Sequence, residues 1–129
     1  MSIKLDIMYD RIMTIQDYAV NYASSNKHVV SAMLLARDVF RYGCNEVLHA
    51  VNYCVAHDQN AADYAGYVER CTSFGIKKYK PLMKALDEYY HDFMADRDCS
   101  LDKWQLKGVA DILQSFVEDV SKWVKDYQQ

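Results

Sequence analysis

LDKWQLKGVADILQSFVEDVSKWVKDY, residues 101–127, is the stretch from which the fold is read. Its apolar residues Leu106, Val109, Leu113, Phe116, Val120, Trp123 and Tyr127 recur at steps of three and four. That period lays them along one stripe of an α-helix. Polar residues fill the opposite face, and a seam this regular has to be covered by other helices. The expected environment is therefore a helical bundle.

The rest of the chain supplies those helices. Leu5, Met8, Ile12, Ile15, Ala19 and Tyr22 form a second seam over residues 3–23. Ser24-Ser25-Asn26 then offers a break and an N-cap. Val29, Met33, Ala36 and Phe40 line the next helix, which begins near Lys27. Gly43 followed by Asn45 reads as a helix stop and a fresh cap, so a turn is expected there. An unbroken helix is the alternative, because one interior glycine costs only about 1 kcal/mol. A helix over 46–57 presents Val47, Val51 and Cys54, and one over 61–73 presents Tyr64, Ala65 and Val68. Pro81 suits the first turn of a helix running to about Ala95, with Leu82, Leu86, Tyr89, Tyr90 and Phe93 inward. Ser100 is the expected cap of the final helix. The expected fold class is all-α: a compact bundle of five or six mostly antiparallel helices, with residues 1–129 as a single domain.

Composition agrees. One proline and four glycines in 129 residues leave little turn-forming material for many short strands. The net charge of −3 disfavours a general attraction to nucleic acid or anionic lipid. Charged residues recur too often for a membrane span. Cys44, Cys54, Cys71 and Cys99 contain no Cys-x-x-Cys pair. With an N-terminus unlike a secretory signal, free thiols and a cytoplasmic location are expected.

Two patterns raise metal chemistry. Glu46-Val-Leu-His49 and Glu88-Tyr-Tyr-His91 resemble the paired Glu-x-x-His of ferritin-like di-iron bundles, whose ligands must face inward. At about 100° per residue, Glu88 and His91 both lie more than about 120° from the Leu82–Leu86–Phe93 direction. His49 points away from Val47, Val51 and Cys54. These groups are expected on the wet side.

His28, the dipeptide His57-Asp58 and the later Asp111 resemble the ligand order of the HD superfamily of all-α metal-dependent phosphohydrolases. The resemblance rests on scattered positions between 28 and 111. It implies one divalent ion held by His28, His57, Asp58 and Asp111, generating a hydroxide and polarising a phosphoryl oxygen. If the chain reversed at Gly43–Asn45, His28 would lie level with His57. Asp111, however, falls almost opposite the Leu113–Phe116 stripe.

Charge is uneven. Lys77, Lys78, Lys80 and Lys84 cluster with Phe74 and Tyr79, and an acidic stretch of Asp87, Glu88, Asp92, Asp96, Asp98 and Asp102 follows. The 11 tyrosines exceed what the seams need, and Tyr9, Tyr42 and Tyr67 fall outside them. Tyrosine on an accessible surface offers large contact area at low entropic cost. The reading preferred at this level is a protein-binding or regulatory module using Tyr9, Tyr42, Tyr67, Lys77, Lys78 and Tyr79. It has no cofactor, and a second copy of the chain is one form of its partner.

Overall fold

The seam of residues 106–123 is covered on both sides by helices. A computed structural model describes residues 3–56, 58–99 and 105–128. The described residues form five α-helices and no strand: α1 (Ile3–Asn21), α2 (Asn26–Ala50), α3 (Ala61–Cys71), α4 (Lys80–Met94) and α5 (Leu106–Tyr127), with a 3-10 turn at Ile76–Tyr79 before α4. Met8, Ile12 and Ile15 of α1, Ala36, Phe40 and Val47 of α2, and Leu113, Phe116 and Val120 of α5 are at most 1% exposed. The expected stripes thus meet in one core. The final helix starts later than expected, since Gln105 has extended backbone and precedes Leu106. The Ser100 cap lies outside the described residues. No described helix is long and apolar enough to cross a membrane.

Paired side chains give the directions. Lys4–Glu46, Arg11–Asp38 and Tyr18–His28 make α1 and α2 an antiparallel hairpin. Ala61–Asp87 and Glu69–Lys80 do the same for α3 and α4. By contrast, Arg37–Asn60 and Arg41–Tyr64 advance together, so α3 runs alongside α2 in the same direction. Asn60, just before α3, accordingly lies beside Arg37 in the middle of α2.

The expected turn at Gly43 does not occur, and α2 continues through it. The glycine serves helix packing instead. A Cβ there would stand 2.3 Å from Cε2 of Phe116 and 3.3 Å from Cγ2 of Val120, so its absence lets α5 approach α2 closely. The real stop is Asn52, which adopts the left-handed conformation at φ 59°. Its N–H donates to the His49 carbonyl, and the Tyr53 N–H donates to that of Leu48. This is a Schellman motif with asparagine in the usual glycine position. Asp96, at φ 55°, ends α4 by the same pattern.

Four residues expected inward are exposed: Tyr22 at 43%, Phe93 at 42%, Tyr127 at 54%, and Cys54. Each sits where its helix runs out. Tyr22 and Cys54 follow the last residues of α1 and α2, Phe93 lies in the final turn of α4, and Tyr127 is the last residue of α5.

Candidate functional site

Polar residues inside the bundle are held for structural reasons. Arg37 and Asp87 are 5% and 6% exposed. Asp87 belongs to the acidic stretch of the sequence, and it faces the α2–α3–α4 junction. One of its oxygens accepts from Arg37 Nε and from the Ala61 N–H, and the other accepts from the Ala62 N–H, all at 2.9 Å. The carboxylate therefore caps α3 from a different helix, adding charge at the N-terminus where it stabilises most. Arg37 also donates to Asn60 Oδ1 and lies 3.9 Å from the Tyr90 ring centroid. Nothing in this group is left over for a substrate.

Tyr79 is similarly occupied. It was expected on the surface but is 4% exposed, facing Phe40 and Phe116. Its hydroxyl donates to Asp119, and Ser115 stands 3.1 Å away. Burial and then the Asp119 bond push the phenol above its ordinary range. Burial alone would raise Asp119, but donation from Tyr79 and Lys78 outweighs it and holds the carboxyl below its usual value. The Cys44 thiol is pushed up by burial and, secondarily, by Asp87. Burial with Asp92 and Asp98 raises Cys99. Neither is an activated nucleophile.

The metal-site residues do not assemble. His28 is engaged with Ser25 Oγ at 2.7 Å, stacks on Tyr22 at 4.1 Å and meets the edge of Tyr18. His57 lies outside the described residues. Asp58 is fully exposed beside Arg41, which stands 13 residues, or about 20 Å, further along α2 than His28. Because α2 does not reverse at Gly43, the hairpin that would level His28 with its partners is missing. Asp111 is exposed on α5. In the di-iron pattern, His49 and Glu88 are exposed, Glu46 pairs with Lys4, and exposed His91 bonds Asn60. No group of three or more His, Cys, Asp or Glu able to hold an ion occurs among the described residues.

The expected surface aromatics separate. Tyr9 is half-buried against the core. Lys77 and Lys78 are exposed, with Lys78 paired to Asp119 at 3.0 Å. Exposed Tyr42 and Tyr67, which is half-buried like Tyr9, border a larger face that the sequence reading missed in part. The antiparallel packing of α1 on α2 sets Lys4, Ile7 and Arg11 beside Tyr42, enclosing a groove of about 220 Å³. A second groove of about 450 Å³ shares Lys4 and Tyr42 and continues over Leu48 to Tyr53 and Val55. The Asn52 stop places Tyr53 there. Tyr53 leans on Tyr67 at 6.0 Å between centroids, and Arg70 caps Tyr67 at 4.8 Å. At the other end, Arg11 lies 4.9 Å over Tyr42. The result is an aromatic strip with a guanidinium at each end. Asn52 was the signal that could have found Tyr53, because asparagine is the commonest substitute for glycine at a left-handed helix stop.

Comparison with family models, curated proteins and solved structures finds no match to this chain.

Proposed function

We propose that the protein is a binding module for another protein, which it engages through the face running from Arg11 and Tyr42 to Tyr53 and Tyr67. The observation that carries this reading is the pair of adjoining grooves between α1 and α2. There Ile7, Tyr42 and Tyr53 are 40%, 36% and 42% exposed around a buried Leu48. Tyrosine and arginine are the residue types that dominate binding energy at protein interfaces. Elsewhere, the buried polar groups are committed to helix capping and to each other, which supports binding over catalysis. Four free thiols suit a reducing, cytoplasmic setting.

The test is a photo-crosslinking residue at Tyr53 in the native host cells, with Asp111 as the control position. The expected outcome is a discrete protein adduct at Tyr53 only. Once purified, that protein should bind the wild type and lose about tenfold or more in affinity for Tyr53→Ala. Adducts identical at both positions overturn the reading. An adduct between two copies of this chain identifies the partner as itself, and light scattering then reports a dimer.

A further inference from the structure

The two grooves also restrict what can lie in them. Resting on the protein-binding reading above, we infer that the occupant is an amphipathic helix of a partner protein, carrying Asp or Glu beside its apolar anchors.

The shape argument comes from the walls. α1 and α2 spend their backbone amides within their own helices, and the non-helical wall that completes the larger groove is only Tyr53, Cys54 and Val55, so an extended peptide has no long strand edge to join. A segment that satisfies its own backbone suits such a furrow, and the recurrent solution is a helix laid along it. Tyr42 and His49 both line the larger groove, and seven residues of helix separate them by about 10 Å. That length accepts two turns of an incoming helix, with apolar anchors at i, i+3 or i+4, and i+7. Ile7, Tyr42 and Tyr53 offer the matching contacts.

The charge argument is independent of shape. The side chains lining the grooves include Lys4, Arg11 and His49 and no carboxylate. Two acids outside the lining pair with these cations: Glu46 is 3.9 Å from Lys4, and Asp38 is 3.6 Å from Arg11. Contacts of that length between partly exposed groups are weak, and the Arg11 side chain can turn toward an incoming carboxylate. The protein as a whole carries −3, so its general field repels an acidic partner while the furrow attracts one. Opposed signs of this kind favour recognition at one place and suppress adhesion elsewhere. They also tell against nucleic acid, which would meet the negative surroundings along its whole backbone.

A phage-displayed library of short helices, randomised along one face and selected on the full-length protein, tests the inference. Selected clones should carry Leu, Phe, Trp or Met at i, i+4 and i+7 with Asp or Glu beside them. The synthesised peptides should bind at least about tenfold more weakly to the double variant Lys4→Glu/Arg11→Glu. Peptides with Lys in place of those acids should recover binding to the same variant, which also shows that it is folded. Selection that yields no helical binder, or binders indifferent to the charge reversal, overturns the inference. If basic or neutral peptides compete with crosslinking at Tyr53, the protein-binding face stands and the acidic helix falls. Peptides that bind without affecting that crosslink occupy another surface and overturn the acidic helix alone.

Discussion

Arg37 and Tyr42 lie five residues apart on α2, yet they belong to opposite kinds of environment. Around Arg37, strongly polar groups are buried and every one of the named contacts has been answered: guanidinium to carboxylate, carboxylate to two amides, amide oxygen to guanidinium. Around Tyr42, apolar and aromatic groups stand in water with the partly exposed Arg11 beside them. The first arrangement is costly to disturb and has nothing to offer a ligand, because a buried charge that is fully satisfied has no unused valence. The second contributes little to folding and gains by being covered. Chemical reactivity of a residue type is thus a poor guide to where this protein works. The balance between burial and satisfaction is a better one.

The contrast is sharpest at Asp87. Replacing it with alanine strands Arg37 in the core and uncaps α3, and this should cost about 3–5 kcal/mol in urea-induced unfolding. A cost below about 1 kcal/mol would mean that the junction opens readily to water, and the comparison would collapse.

Tyr79 is a second, smaller sample of the buried class. Tyr79→Phe should cost about 1–2 kcal/mol at neutral pH, because Asp119 keeps Lys78 as a donor. The pH dependence follows from the upward shift of the phenol. Its folded-state value exceeds the unfolded value of about 10, so its contribution is complete below that pH and is lost as pH rises above it. Asp119 has the opposite sense: its depressed value gives stability present above about pH 4 and lost as pH falls further. Stability measured against pH should therefore decline above about pH 10, and Tyr79→Phe should flatten that decline by up to about 1.4 kcal/mol per pH unit. An unchanged slope would show that the phenol ionises freely in the folded protein.

The smallest effect is expected at the open face. Tyr53→Ala should change stability by no more than about 0.5 kcal/mol, since the ring is exposed and lies outside the core. A loss comparable to that at Asp87 would make Tyr53 a structural residue and remove the contrast on which the binding proposal rests.

Much of the fold was legible because it depends on a period. The seams of α1, α2 and α5 follow from steps of three and four, and one partner for each seam suffices to bury it. Gly43 was misread because the same residue permits a helix stop and a close helix contact. Only the position of Phe116 distinguishes them. Tyr42 and Tyr67 stood out as aromatics beyond the seams, whereas Tyr79, singled out with its lysine neighbours, turned inward once α5 offered Ser115 and Asp119. Asp87 could not be told from its acidic neighbours, because its partners come from residues 37, 61 and 62, far away in the chain.

The order of residues by itself determined that this chain makes amphipathic helices and that those helices must pack together, because local periodicity sets which face is apolar. Tertiary structure decided which polar groups are spent and which surface is left open. A carboxylate's role depends on the donors that reach it, and a tyrosine's exposure depends on whether a neighbouring helix continues far enough to cover it.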